Sequence, residues 1–481
     1  MSIWTINEEN RNIKQLDKDM IVDILIIGGG ITGLTTAYYL KNKNICVVDA
    51  NKIGYGVTKN STAKINYLQQ NIYSKIATTT NIYNAKKYLE SQKYAIKEIK
   101  SIIDNNNIDC DLKQVPSYVF SNTIKDIKSL TNEIKFLKKN NIKIEEKELK
   151  INTNVFKSYN VNDTYIFNPI KYLNGLYNIL TKKNINIYEN TKILKIKQKN
   201  NKYICYSKNN KIIANKIVIA THYPFFLFPF ITPIKCSLEK SYIIISKVNA
   251  DKNLTYITNN NPVYSLRYYK DRNNIYQISL SNNKDLSKNL NDYDNFKSLQ
   301  HKFNIKNKDI IMKYTNTDVM TPDYMPYIGE IKKNMYIGIG YNTWGMTNGV
   351  LAANLISNNI LGKDTEYKEI FKPNRINNII LLKIPYYILN NTKSFINSKL
   401  HKKQYENIKY YKKNGKNLAC YTDKNNKKHI IYNKCPHLGC SLNFNQVELT
   451  WDCPCHSSKF DIDGKCIKGP SNYDISYKNK I

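Results

Sequence analysis

Arginine is nearly missing from this 481-residue chain. Of 73 basic residues only Arg11, Arg267, Arg272 and Arg375 are arginine, the rest are lysine, and 38 acids leave a formal charge of +35. Guanidinium forks are the usual readers of phosphate, and the lysines are spread over the whole length with no basic stripe, which argues against specific nucleic-acid binding. The accompanying wealth of Asn, Ile and Tyr is what A/T-rich codons produce, and the remaining use of a basic surface is to steer acidic electron-transfer partners. Long hydrophobic runs are also lacking. No stretch of about 18 uncharged apolar residues occurs, and the opening MSIWTINEENRNIKQLDKDM carries acids and amides where a secretory segment needs apolar residues. A soluble, cytoplasmic protein is expected. Internal repeats are absent. What remains is a chain with 42% hydrophobic residues, enough for two or three domains with a sizeable core. Of its ten cysteines, four crowd into one C-terminal stretch, and Cys46, Cys110, Cys205, Cys236, Cys420 and Cys466 are scattered, so a disulfide scaffold is excluded.

Residues 21 to 50 read IVDILIIGGGITGLTTAYYLKNKNICVVDA: an apolar β-rich run, a glycine cluster, a helical stretch and a second apolar run ending in an acid. This is a β-α-β unit. Gly28-Gly29-Gly30-Ile31-Thr32-Gly33 fits G-x-G-x-x-G directly after a strand and at the opening of a helix, the context that gives the motif meaning. Gly28 permits the tight turn, Gly30 the approach of a pyrophosphate, and Gly33 close helix-strand packing, while Thr32 lies in the first helical turn. Asp49, at the end of the second strand, is placed to accept from ribose hydroxyls, and an acid there disfavours a 2′-phosphate. These mechanics do not separate FAD from NAD. Farther on, residues 84 to 104 and 124 to 140 look helical, 186 to 222 alternates short strands with Lys/Asn turns, and strands dominate from 237 to 281. A strand from Met335 to Gly340 is followed by the loop YNTWGMTNG and a helix through Asn359.

The segments IIGGGITGLTTAYYL, GYGVTKNSTAKI, IVIATHYP and GIGYNTWGMTNG resemble the FAD-dependent oxidoreductases of the D-amino-acid oxidase and glycine oxidase superfamily over about the first 370 residues. The resemblance implies FAD as cofactor, an α/β Rossmann-like FAD-binding domain of the glutathione-reductase type, and an inserted α+β substrate domain. It implies that Ala220 and Thr221 return the chain to the nucleotide. Gly338, Gly340 and a helix beginning near Thr347 would direct a helix dipole at the flavin pyrimidine edge. Lys59 departs from the pattern, standing where relatives carry Gly, which puts the detail of that flavin-facing loop in question. Arg267, in the strand YSLRYY, resembles a substrate-domain position facing the flavin, and a guanidinium can hold a carboxylate through two parallel bonds. Arg267 and Tyr341 are the candidate substrate contacts. Trp344 is expected to pack in the core, His222 to be a satisfied structural histidine, and no catalytic base is assigned.

From about residue 405 the texture changes to short strands and tight turns. Cys435-Pro436-His437-Leu438-Gly439-Cys440 and Cys453-Pro454-Cys455-His456 place C-x-H and C-x2-H on two loops. Two Cys and two His suit tetrahedral zinc, but the second cysteine in each loop speaks against it. CPHLGC and CPCH resemble the Rieske pattern residue by residue. The resemblance implies a small all-β 2Fe-2S domain in which Cys435 and Cys453 bind one iron, His437 and His456 bind the other, and Cys440 and Cys455 form a disulfide between the loops. Ser458 would raise the potential through a bond to a cluster sulfur. Phe460, where Tyr is frequent, cannot donate, so a potential below the top of the range of about −150 to +300 mV is expected. A ring-hydroxylating oxygenase is excluded, because the other histidines (222, 301, 401, 429) are too scattered for a two-His-one-carboxylate iron site.

The expected division is 1–370 for the flavoprotein, with FAD-binding parts near 20–80, 150–230 and 320–370 and substrate-domain parts near 81–149 and 231–319. A connector follows at 371–404 and the Rieske domain at 405–481. In function the chain is expected to oxidise a small amine or amino acid at FAD and to pass electrons singly through the 2Fe-2S cluster to an external acceptor, a protein or a quinone-like molecule. The alternatives are reverse flow and a redox-sensing protein without a metabolite substrate.

Overall fold

The computed structural model describes residues 2–6, 11–151, 153–226, 229, 232–283, 292–400 and 405–477. The run MIVDILII forms the strand Met20–Ile27, and Val22 and Ile24 to Ile27 are buried because it lies in the middle of a sheet covered by helices. Parallel neighbours are Ile45–Val48 and Lys211–Ile219; Asn186–Tyr188 and Met335–Ile339 extend the sheet outward, and Tyr327–Lys332 closes one edge antiparallel. A hairpin, Lys195–Lys199 and Lys202–Tyr206, completes the eight strands by pairing with Lys211–Ile219. The helices Ile31–Tyr39 and Gly345–Ile360 pack on each other, each buried along most of its length. This is the FAD-binding fold expected.

A second, mixed sheet of seven strands runs in the order Ile310–Met320, Ser237–Val248, Asn274–Asn283, Val263–Asp271, Thr255–Thr258, Ser117–Ser121, Lys157–Val161. The last of these falls in the stretch 150–230 that the sequence grouped with the FAD-binding parts; its pairing with Ser117–Ser121 puts it in the other sheet. The helix Ile82–Asn105 packs on the helix Gly345–Ile360 and is started by Asn81, whose side chain accepts from the Asn84 N–H. Ala85, Tyr88, Leu89, Gln92, Ile96, Ile99 and Ile103 repeat at helical spacing and form its buried face. Between the two larger sheets lies a three-stranded one of two-residue strands and short pairings, including Lys64–Ile65.

The stretch 371–404, read as a connector, contains the helix Asn378–Leu400 with Pro385 inside it. The C-terminal module is two small antiparallel sheets: Ile408–Lys413, Lys416–Thr422 and Lys428–Tyr432, then Asn443–Asn445, Thr450–Asp452, Lys459–Phe460 and Cys466–Lys468. Its core is built on Leu442, Phe444, Trp451 and Phe460. Buried ionic contacts join this module to the seven-stranded sheet. Lys459 Nζ lies 2.5 Å from Glu448 Oε2 and 2.8 Å from Thr315 Oγ1, and Lys240 Nζ lies 4.0 Å from Asp452 Oδ2. Removing one partner of such a pair leaves an uncompensated buried charge, so the set fixes how the module sits. Lys192 Nζ donates to Ser471 O at 2.9 Å from the FAD-binding side. No helix among the described residues is long and apolar enough to cross a membrane.

Candidate functional site

The first strand ends at Gly28, whose φ of +111° no side chain favours and where a Cβ would lie 2.5 Å from the Ala220 carbonyl oxygen. The adjacent strand end, Ala220-Thr221, is thereby pressed against the glycine turn. At Gly33 a Cβ would fall 1.8 Å from the Gly28 oxygen, which lets the helix Ile31–Tyr39 start directly over the turn. Gly30 is its N-cap and offers no side-chain cap, so first-turn N–H groups are left for an anion. Asp49 accepts from Gly29 N at 2.7 Å and from Asn51 N at 2.8 Å, and burial pushes its carboxyl up to about 6. Gly28, Gly30, Thr32, Asp49, Ala220 and Thr221 line one cavity of 620 Å³. Gly338 and Tyr341 line it too, and the Tyr341 hydroxyl is 2.9 Å from Thr32 Oγ1. The helix Gly345–Ile360 starts at the same cavity, with Trp344 as an N-cap that makes no side-chain bond. A positive helix end at this wall favours negative charge on the ring system that fills it.

Three expected residues stand apart from the cavity wall. Gly340, at φ +78°, lets the chain pass Thr321, whose Cγ2 a Cβ would meet at 2.4 Å. Thr347 donates to Gln92 Oε1 at 2.8 Å. Arg267 is a correction. Its Nη1 donates to the carbonyls of Thr62, Ala63 and Phe167, its Nε to that of Tyr268, and its guanidinium lies over the Trp4 ring at 4.8 Å. With Nε and Nη1 committed to backbone carbonyls it clamps the flavin-facing loop, and it stands outside the cavity wall. His222 keeps its structural role, with Nε2 2.8 Å from Thr317 O.

Lys64 is the residue that sequence reading missed. It lies in the short strand Lys64–Ile65, is buried, and donates to Tyr256 O at 3.0 Å and to Ser265 Oγ at 2.5 Å. It lines the cavity, and burial together with the nearby Arg267 pulls its ammonium down to about 7. One lysine among 69 gave no signal; its only mark is position, between Ala63 and Ile65 in a buried strand. Elsewhere on the cavity wall the seven-stranded sheet supplies Glu239, Ser241, Asn282 and Asp318. Burial pushes Asp318 up to about 6, and Lys468 enters from the C-terminal module with its ammonium lowered by burial to about 8.

In the C-terminal module the two loops are tied by the Cys440–Cys455 disulfide. Cys453 Sγ lies within 4.8 Å of both of its sulfurs, so the bridge abuts the ligand site. Cys435 and Cys453 are buried within hydrogen-bond reach of each other. That bond lowers the Cys435 thiol to about 7 and raises the one at Cys453, so the pair holds one proton tightly and releases the other easily. The rings of His437 and His456 are 4.9 Å apart and edge-on. All four of their ring nitrogens are buried without a hydrogen-bond partner, and burial pulls the two imidazoles down to about 4 and about 3. Neutral, unpartnered imidazoles and ionisable paired thiols are the donor set a 2Fe-2S cluster of mixed ligation requires. Ser458 accepts from Ser471 N at 2.9 Å, and Phe460 lies in the module's core.

The two sites are not separate. Cys466 to Asn472, the segment covering the cluster loops, line the same cavity as Gly28 and Asp49. Tyr223, just past the Ala220-Thr221 strand end, lines that cavity and touches both imidazoles, with ring centroids 6.3 Å from His437 and 5.7 Å from His456.

Residues 23–358 match the family model for FAD dependent oxidoreductases, known as DAO. The chain belongs to that family. As a member it binds FAD, and residues 395–477 match the Rieske [2Fe-2S] domain, which supplies the cluster. YhfW of Bacillus subtilis (strain 168), whose name describes a Rieske 2Fe-2S iron-sulfur protein, is 28% identical over 97% of this chain and 95% of its own length. Among solved structures, glycine oxidase from Geobacillus kaustophilus superposes with TM-score 0.63 at 13% identity, covering 74% of this chain and 100% of that one. L-proline dehydrogenase from P. horikoshii gives TM-score 0.59 at 16% identity over 74% and 98%. At such identities the likeness shows the DAO fold, in which the Gly28–Gly33 cradle occupies the dinucleotide end. Gly33→Ala is therefore expected to release FAD, because its Cβ meets backbone and not a movable side chain. A purified variant that keeps the 2Fe-2S absorbance but has lost the flavin bands checks this, and full flavin occupancy would refute it.

Proposed function

We propose that this oxidoreductase takes a hydride from a small amine or amino acid and hands the two electrons, one at a time, through its 2Fe-2S cluster to an external acceptor. The observation that carries this reading is the shared cavity: the glycine-turn residues, the polar residues of the seven-stranded sheet and Cys466–Asn472 of the C-terminal module line one space, and Tyr223 on its wall reaches both imidazoles. FAD, when bound, supplies a two-electron acceptor and the cluster a one-electron carrier, so joining them converts a pair of electrons into single ones. The chain's own residues do the rest. Glu239 and Asp318 suit an ammonium, and Lys468 suits a carboxylate, which together match a small zwitterion or amine. Oxidation of the C–N bond removes a hydride and leaves an iminium, so the substrate nitrogen must first be deprotonated, and Lys64, whose pKa is lowered to about 7, can accept that proton as the neutral amine. Tyr223 excludes water between the cavity and the two imidazoles. The names of the structural neighbours, glycine oxidase, L-proline dehydrogenase and an L-amino acid deaminase, are those of proteins acting on amino acids, and favour the same substrate class.

The division into a flavoprotein at 1–370, a connector at 371–404 and a Rieske domain at 405–481, and a cytoplasmic location, belong to the same proposal. The test is an anaerobic visible titration with pooled amino acids and simple amines, followed by EPR of frozen samples. Bleaching of the flavin bands with appearance of a reduced Rieske signal is the expected result. Two intact chromophores that no member of the pool reduces would overturn it in favour of reverse flow or sensing.

A further inference from the structure

The helix Asn378–Leu400 is amphipathic the wrong way round for a helix that merely connects two modules. Its inward stripe is Ile380, Ile384, Tyr387, Asn391, Ser394 and Ser398, increasingly polar toward the end. The outward positions hold the large apolar residues. Leu382, Tyr386, Leu389, Ile396 and Leu400 follow one another at helical spacing with Lys393 among them, and Leu381, Ile388 and Phe395 stand seven apart beside them, each of these apolar residues between 41% and 72% exposed. Eight such side chains on one helix form a continuous surface that water would otherwise have to solvate. The inward contacts hold this orientation. Asn391 Nδ2 donates to Pro233 O at 2.7 Å, and Arg375, just before the helix, bonds the Asp323 carboxylate through Nε and Nη2, both at 2.8 Å.

Charge selects the occupant. From residue 370 to residue 405 the chain contains seven Lys or Arg and no Asp or Glu. A second copy of a chain carrying +35 would bring two such stretches face to face, and like charges across an apolar contact oppose that pairing. An apolar face edged by lysine with no acid matches a bilayer surface of anionic lipid, where the apolar side chains enter the headgroup-acyl boundary and the ammonium groups stay with the phosphates. We propose that this helix docks the protein peripherally on an anionic membrane surface.

The end of the helix locates the consequence. Ser398 Oγ accepts from Ser441 N at 3.1 Å and Lys399 Nζ donates to Gly439 O at 2.7 Å, both in the loop that carries Cys435 and His437. Docking therefore brings the outer edge of the cluster module, where Leu438 is exposed, toward the lipid. Resting on the electron-transfer reading above, it places an acceptor dissolved in the bilayer within reach.

The experiment is co-sedimentation of the full-length protein, both cofactors bound, with phosphatidylglycerol-containing vesicles and with pure phosphatidylcholine vesicles. Wild type is expected to partition at least about tenfold more strongly onto the anionic vesicles, falling as salt is raised. The double variant Leu382→Glu/Leu389→Glu, both positions pointing to solvent, is expected to lose at least about tenfold of that partition while its flavin and cluster absorbance stay unchanged. Equal partition of wild type and variant overturns the proposal, as does light scattering that finds a dimer which the double variant dissolves. Sedimentation needs no turnover, so its failure is distinct from failure of the amine-oxidation reading.

Discussion

Replacing His456 by Gln, or Cys453 by Ser, is expected to abolish the 2Fe-2S EPR signal, to leave the flavin spectrum intact, and to lower acceptor reduction by about 10²-fold or more. Loss of groups that merely support a metal ligand costs about 10–100-fold, so loss of a ligand must cost at least the upper end of that range. His456 is buried with both ring nitrogens unpartnered, and Cys453 bonds Cys435 and the backbone of Cys455 and His456. The flavin should survive because the Gly28–Gly33 cradle and Asp49 belong to a different sheet. Anaerobic substrate is then expected to bleach the flavin at its normal rate, with the block appearing only at the step toward the acceptor. Stopped-flow absorbance with and without acceptor separates the two. Undiminished acceptor reduction in cluster-free protein would mean that electrons leave from the flavin directly, and the series arrangement would fall.

The parts of this site that were legible in the sequence are those whose chemistry is written in consecutive residues. Gly28 to Gly33 sit at a strand-helix junction where backbone conformation demands glycine, and CPHLGC and CPCH bring four ligands and a disulfide together within two tight loops. In each case the local chain dictates the geometry. The helices Ile82–Asn105 and Ile127–Lys139 were legible for the same reason, since apolar spacing of 3.6 residues is a local property. What was not legible depends on side-chain direction between distant segments. Arg267 was a candidate substrate contact through its resemblance to a flavin-facing position, with a structural ion pair as the alternative; its side chain points toward Trp4 and the Thr62-Ala63 turn. Ser265, two positions earlier on the same face of the strand, lines the cavity, so position along the strand and not its face separates the two. Lys157–Val161 went to the wrong sheet because five residues of strand carry no record of their partner. Nor could any motif announce that the module holding the cluster closes over the cavity of the first, which rests on Lys459, Glu448 and Thr315, residues 144 and 133 positions apart from Thr315 in the chain.

Lys64→Met is expected to remove an ionisation near pH 7 from the pH profile of kcat/KM and to lower its plateau by about 10²-fold, at the lower end of what a positioned proton acceptor contributes. Burial and the Arg267 charge bring the ammonium from 10.5 to about 7, so near neutrality a large share of the side chain is the free amine. A neutral amine keeps two N–H bonds for Tyr256 O and Ser265 Oγ and has a lone pair left to take a proton from substrate. Wild-type kcat/KM should then rise as pH increases through about 7 and level off above it, whereas the variant should be flat across that interval. A purely structural lysine would give a different stability record. Because the folded-state value lies below the unfolded one, the unfolded chain binds the extra proton between about pH 7 and 10.5, and wild-type stability should rise with pH across that window. Methionine removes the buried amine, so the Tm of the variant is expected to be unchanged or higher at neutral pH and to lose that slope. A variant that unfolds at lower temperature and keeps the wild-type pH profile in its residual activity would show Lys64 to be a packing element. A flat profile with retained Tm would show that the proton of the substrate nitrogen passes to this one side chain before the hydride leaves.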